Sequence, residues 1–251
     1  MSDIYKTPES ELNKHMPAGN YGSLEKGIAG DYEFSIGATL SEAWNKTSGA
    51  KGTMILAGIL YIVAIMVVSF ILQFVMLKLI PLDNNPSQAM IFGSIFVQQI
   101  VLNLVVLPIV MGMFILGLRR SVDAPISAFS VFDYFGKTFS LLLTMVLMYI
   151  MVVIGLLLLV VPGIYLMVAY FMAMPLVVEK GLSPWQALEA SRKAVSKRWF
   201  GFLGFYIVMM LIMLVSMIPL GIGLIWTMPM FLIAWGILYR NMFGCEAKTA
   251  A

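Results

Sequence analysis

Two long stretches of this sequence, Phe139–Val178 and Trp199–Tyr239, contain no charged residue. Each is about twice the roughly 20 apolar residues that a helix needs to cross a bilayer. Hydrocarbon supplies no hydrogen bonds, so a spanning chain must pair its own backbone groups, as a helix does. A turn signal divides each stretch: Pro162-Gly163 in the first, Pro219-Leu220-Gly221 in the second. Upstream, Thr53–Ile80 and Met90–Leu118 are also apolar, and Pro81–Ala89, with Asp83, Asn84, Asn85 and Pro86, separates them. The expectation is an all-α integral membrane protein with six transmembrane helices, near 53–80, 90–118, 139–161, 163–178, 199–218 and 222–240. The fourth is short, which suits a helix with little tilt or a partly re-entrant one. Composition agrees: 61% of residues are hydrophobic and 12% charged, against about half and a quarter in soluble domains. A soluble enzyme and a disordered chain are both excluded.

Orientation is read from Lys and Arg. With the N-terminus in the cytoplasm, the inside segments hold Lys46, Lys51, Arg119, Arg120, Lys137, Lys180, Arg192, Lys193, Lys197, Arg198, Arg240 and Lys248, and only Lys78 lies near the outside. Both termini are therefore expected to be cytoplasmic. The chain's net charge is +3, and the basic excess belongs to the membrane part, where residues 52–251 hold eleven Lys/Arg and six Asp/Glu and report topology, not nucleic acid. No early apolar run marks a signal peptide. Residues 1–35, with Pro8, Pro17, Gly19, Gly22, Gly27 and Gly30, read as a flexible cytoplasmic tail. Residues 36–243 form the six-helix domain, and 244–251 a cytoplasmic C-terminal tail.

A repeat runs through this map. Glu42-Ala43-Trp44-Asn45-Lys46 precedes the first helix and Glu189-Ala190-Ser191-Arg192-Lys193 the fifth; extended without a gap, Lys51 falls opposite Arg198. Pro125–Lys137 precedes the third, with Ile126, Phe129 and Phe132 three apart. Each unit reads as a short amphipathic interfacial helix followed by a hairpin, so the six spans form three hairpins. The second helix of each hairpin carries a candidate kink, at Pro108, Pro175 and Pro229. A simpler reading is that apolar helices resemble one another and often contain proline.

The segment Ser183-Pro184-Trp185-Gln186-Ala187-Leu188-Glu189-Ala190-Ser191, running into Trp199, is similar to a Ser-Pro-x-x-Ala-Leu-x-x-Ser helix of bacterial inner-membrane proteins of the YciC type. It also resembles the membrane domain attached to some glycerophosphodiester phosphodiesterases. Tyr5-Lys6-Thr7-Pro8 resembles the Tyr-x-x-Pro opening of other small bacterial membrane proteins. The resemblance covers roughly residues 36–243. It implies a bacterial inner membrane and six helices, with no reaction, because the phosphodiesterase catalytic domain has no counterpart here.

Few residues offer chemistry. One His (His15) and one Cys (Cys245) leave no disulfide framework and no ordinary zinc or haem ligand set. No expected span holds Asp, Glu or His, so no intramembrane protease or proton relay can be built. The 21 Met include Met145, Met148, Met209 and Met213 in the expected spans. They read as flexible packing more readily than as a copper path, which would add Cys or His. The chain is expected to be no enzyme and to need no cofactor.

Two candidate sites remain. On the helix 183–199, Trp185, Leu188, Val195 and Trp199 fall on one side and Gln186, Glu189, Lys193 and Lys197 on the other, with Arg192 inside the apolar stripe. Arg192, Lys193, Lys197 and Arg198 read as snorkelling topology signals or as a site for anionic lipid headgroups. Gln73, Gln98, Gln99 and Asn103 form an intramembrane polar face, read as interhelical hydrogen bonding or as a pocket beside Pro108. The leading functional expectation is non-enzymatic lipid or envelope handling or membrane organisation, with membrane lipids as partners. Two alternatives stand beside it. One is a small transporter or channel for an uncharged or amphipathic solute. The other is a partner-binding subunit or immunity protein, as a homo-oligomer or with another membrane protein.

Overall fold

A computed structural model describes residues 21–79 and 87–250. Among these, every regular element is helical. The Tyr5–Pro8 opening, His15 and positions 81–86 of the first expected outside turn lie outside the described residues. The helices are α1 (Leu24–Ala29), α2 (Ile36–Thr47), α3 (Lys51–Leu79), α4 (Gln88–Ser121), α5 (Thr138–Leu158), α6 (Val160–Ala169), α7 (Ala173–Glu179), α8 (Pro184–Ser196), α9 (Trp199–Met217), α10 (Leu224–Phe243) and α11 (Ala247–Ala250).

Five stretches are long and apolar enough to cross a membrane: Lys51–Met76, Gln88–Ser121, Ala128–Leu158, Val160–Glu179 and Trp199–Met217. The fourth, expected to be short, is 20 residues long because α6 and α7 continue one another across a break. α10, in place of the expected 222–240 span, is not among the five. The physical reason is its position. Ile233, Ala234, Ile237 and Tyr239 are completely buried, and Pro229, Tyr239 and Arg240 sit in the same helix. A helix surrounded by protein needs no uniformly apolar surface.

Two glycines set the α4–α10 seam. A Cβ on Gly117 would stand 2.0 Å from the Leu232 carbonyl oxygen, and one on Gly236 would stand 2.5 Å from the Gly117 carbonyl carbon. Apolar side chains gain little by leaving lipid, so close backbone approach through small residues supplies the packing energy. Phe114 and Tyr239 stack edge to face beside this seam, 5.3 Å apart.

Proline acts differently at its three sites. Pro108 and Pro229 lie buried inside continuous helices. Pro175 lies in the first turn of α7, immediately after the break at Tyr170–Met172. It has no N–H to return to the carbonyl of Phe171, four residues back, so the helix opens there. Ser191 of α8 closes the gap. Its hydroxyl donates to the Ala169 carbonyl at 2.7 Å and accepts from the Met172 N–H at 3.0 Å.

The three expected amphipathic segments take different forms. α2 runs along α10, with Thr39, Ala43 and Thr47 buried and Glu42 beside Arg240, and Lys51, which opens α3, lies 5.5 Å from the Trp226 ring. α8 buries Ala187, Leu188, Ala190, Ser191, Ala194 and Val195 against the protein. The segment from Pro125 makes two short 3₁₀ turns, Ala128–Phe132 and Phe135–Lys137. Its three-residue spacing is the 3₁₀ period. Val131 faces inwards onto Gly112, while Phe129 and Phe132 are exposed.

Residues 21–35, read from composition as part of a flexible tail, pack against the bundle. The Gly22 N–H donates to the Arg240 carbonyl, Tyr32 donates to the Ala194 carbonyl at 2.9 Å, and the Phe34 ring meets Phe202 at 4.7 Å. Gly30 takes a left-handed conformation (φ 86°) where α1 ends, and the Lys197 stem crosses directly over it.

Candidate functional site

Charged groups are grouped where α4, α7 and α10 end. Arg240, 7% exposed, forks onto both Glu42 carboxylate oxygens at 2.9 and 3.1 Å and donates to the Ser121 carbonyl. The Tyr21 ring lies 4.8 Å from its guanidinium. Arg120 donates to the carbonyls of Lys46 and Ser48, and Lys46 pairs with Asp123 at 2.6 Å. Glu179 is buried, accepts from the Tyr239 hydroxyl at 3.1 Å and from the Glu246 N–H, and lies 3.6 Å from the Lys180 ammonium. These pairs satisfy one another and hold helix ends together. A buried charge whose partner is removed is far costlier than the intact pair is stabilising.

The basic helix divides in two. Arg192 forks onto Glu189 at 3.0 and 2.8 Å, and Lys193 reaches the same carboxylate at 3.3 Å. Its hydrogen bonds with Arg192 hold the Glu189 carboxyl below the usual carboxylate range. The bidentate partner of Arg192 is thus on its own helix, and the residue is not sunk into the apolar stripe: its side chain is 37% exposed. On the apolar side of the same helix Leu188 and Val195 are buried, while Trp185 is 58% exposed. The ring of Trp199 donates to the Tyr165 carbonyl at 3.1 Å and fixes the start of α9.

Lys197 and Arg198 lie beyond the reach of Glu189. The Arg198 guanidinium lies 5.7 Å from the Tyr32 ring, at the wall of a cavity of ≈500 Å³. Around it stand Lys26, Asp31 and Glu33 from the N-terminal segment and Asn241 from the end of α10. On its other side Arg198 borders an apolar groove with Phe34, Trp199 and Phe200, the last 82% exposed. Burial raises the Tyr32 phenol to about 12 against the pull of Arg198, so the ring stays neutral. Lys51, the repeat counterpart of Arg198, likewise lies over an aromatic ring and beside a small cavity. Sequence reading found Arg198 but missed Lys26, Asp31 and Glu33. They lie in a stretch whose composition signals disorder, and only the pairing of Tyr32 and Phe34 with α8 and α9 brings them here.

The polar face on α3 and α4 is not brought together as a site. Gln73 and Gln99 are exposed, Gln98 and Asn103 half-buried. The Asn103 amide donates to the Gln99 backbone carbonyl at 2.8 Å, within its own helix. None of these four lines the cavities beside Arg198, Trp226, Phe200, Glu246 or Lys248. Among the described residues no three His, Cys, Asp or Glu side chains gather as metal ligands. No protein-family description, curated protein or solved structure matches the chain.

Proposed function

We propose that this is a non-enzymatic bacterial inner-membrane protein that binds membrane lipid at the foot of α9 and so helps to organise the envelope. The observation that supports it is the α8–α9 junction. One face of α8 is locked into the protein through Ser191, while Lys193, Lys197, Arg198 and the Phe200 ring stay exposed at the junction, and Trp185 is exposed at the other end of α8. Positive groups beside exposed aromatic rings are the composition of a headgroup-level surface. In this reading α10 is the sixth span and the chain forms three hairpins, α3 with α4, α5 with α6–α7, and α9 with α10, each pair being in contact. Both termini are then cytoplasmic. Reporter fusions test this: those at Asp123, Gly181 and Ala247 read inside and those at Pro162 and Leu220 outside. An inside reading at Leu220 removes the last hairpin.

A transporter draws less support, since the α4–α10 seam is closed at Gly117 and Gly236. A partner-binding role draws on α3 and the outer half of α4, where Phe70, Phe74, Phe92 and Phe96 are all more than half exposed. The deciding experiment is native mass spectrometry of gently extracted protein. Retained phospholipid is expected. A lipid-free protein of unchanged stability refutes lipid binding, and a mass of two or more chains favours the partner role.

A further inference from the structure

Among the described residues, some charges at this end of the protein are paired and others are not, and four of the unpaired ones line the ≈500 Å³ cavity. Arg240, Lys180, Arg192, Lys193 and Lys46 each have a carboxylate within 4.0 Å. Lys26, Arg198, Asp31 and Glu33 make no such pair among the described residues. Two cations and two anions thus line one cavity with no ion pair within 4.0 Å among them. Tyr32, buried and bonded to Ala194, stands in the cavity wall between the N-terminal segment and Arg198. The cavity lies within the range of about 300–1,000 Å³ common for small-molecule sites. A simple anion would meet the two carboxylates, and a simple cation the two basic groups. The lining complements a ligand that carries both charges.

The apolar groove adds the second constraint. Arg198 lines both the charged cavity and the groove of Phe34, Trp199 and Phe200. An aminophospholipid has its ammonium at one end, its acyl chains at the other and its phosphate between them. The site offers the same three elements: the carboxylates of Asp31 and Glu33 and the cations of Lys26 and Arg198 in the charged cavity, and an aromatic groove that joins it at Arg198. Trp199 begins α9, one of the helices long and apolar enough to span, so the groove opens where acyl chains begin.

We infer that this cavity binds the headgroup of a zwitterionic aminophospholipid, with Asp31 and Glu33 facing the ammonium, Arg198 and Lys26 the phosphate, and Phe34 and Phe200 the acyl chains. This rests on the lipid-binding reading above and names a zwitterionic lipid where the sequence pointed to an anionic one. A guanidinium matches a phosphate diester through paired donors, and the carboxylates find a cationic partner in the ammonium of an aminophospholipid but only neutral hydroxyls in phosphatidylglycerol, whose phosphate carries the same single charge.

The test uses the full-length protein in mild detergent, loaded with equimolar phosphatidylethanolamine and phosphatidylglycerol of identical acyl chains and read by native mass spectrometry. The wild type is expected to retain the ethanolamine lipid about fivefold or more over the glycerol lipid, a factor equivalent to about one lost charge contact. Arg198→Ala is expected to lower total retention about fivefold, while Lys137→Ala, which removes the same charge at a distance, leaves it unchanged. The pair Asp31→Asn with Glu33→Gln is expected to reverse the preference. Phe200→Ser weakens binding of both lipids, as expected if acyl chains and not a free phosphoamine occupy the groove. The thermal shift of the wild type with each lipid gives a readout that needs no variant. Equal retention of the two lipids overturns the headgroup assignment while leaving lipid binding intact; absence of both lipids overturns the underlying reading as well. Unchanged retention in Arg198→Ala removes the site from this cavity.

Discussion

Replacing Ser191 by alanine removes one hydroxyl from a completely buried position. That hydroxyl joins two backbone groups left open by the break between α6 and α7, the Ala169 carbonyl at 2.7 Å and the Met172 N–H at 3.0 Å. Water does not reach the site, so both groups lose their partner at once. A buried polar group left unsatisfied costs about 1–3 kcal/mol, while hydrogen bonds measured inside membrane proteins average nearer 0.6. Two groups together place the loss at about 1–6 kcal/mol. Ser191→Cys keeps the volume with a weaker donor, and its loss falls between. A second substitution isolates the cause. Pro175→Ala restores the missing N–H and lets the helix close, so Met172 and Ala169 find helical partners. The cost of Ser191→Ala then falls by at least half in that background. The assay is equilibrium unfolding in mixed micelles, run as a double-mutant cycle. A loss below about 0.5 kcal/mol for Ser191→Ala refutes the bridging role. So does an undiminished loss beside Pro175→Ala.

Two further predictions concern Cys245 and the polar pair on α4. Burial, with the Glu179 charge adding to it and Lys180 opposing, pushes the Cys245 thiol up to about 12. Native Cys245 therefore holds more than about a thousandfold less thiolate at pH 8 than an ordinary thiol. Iodoacetamide labelling should be very slow until the protein is unfolded; rapid native labelling at pH 8 contradicts this. The folded value lies above the unfolded one, so the stability it contributes is complete below about pH 8.5 and is lost as pH climbs towards 12. The second concerns Gln99 and Asn103. Because the Asn103 amide bonds within α4, replacing both residues with Leu should change the stability of the single chain by less than about 0.5 kcal/mol. A larger loss in detergent would reveal an interhelical partner, and a lower molecular mass would assign that partner to a second chain.

Period and run length alone determined that this chain is helical and made for a membrane, because hydrocarbon permits no other pairing for an isolated apolar segment. The positions of most helices followed from the same runs: α3, α4, α5 and α9 begin and end near the limits that charged residues and turn signals set. What only the tertiary structure decided is where polar groups find partners. Ser191 is an ordinary small residue in sequence, yet it completes the backbone of α6–α7 because α8 docks on the break. Arg192 was legible as a cation, but its pairing with Glu189 three residues back leaves the more exposed Arg198 facing the cavity. α10 was legible as a helix, but its central place follows from Gly117 and Gly236, whose missing side chains matter only when two backbones meet. The stretch 21–35 reads as loose by composition, since few of its residues can bury a core. Its Tyr32 and Phe34 become ordered by surfaces that α8 and α9 supply, and Asp31 and Glu33 are carried to Arg198 with them. Local pattern records what one segment can bury; the partner for a charge or an orphaned carbonyl lies at a distance along the chain that no period encodes.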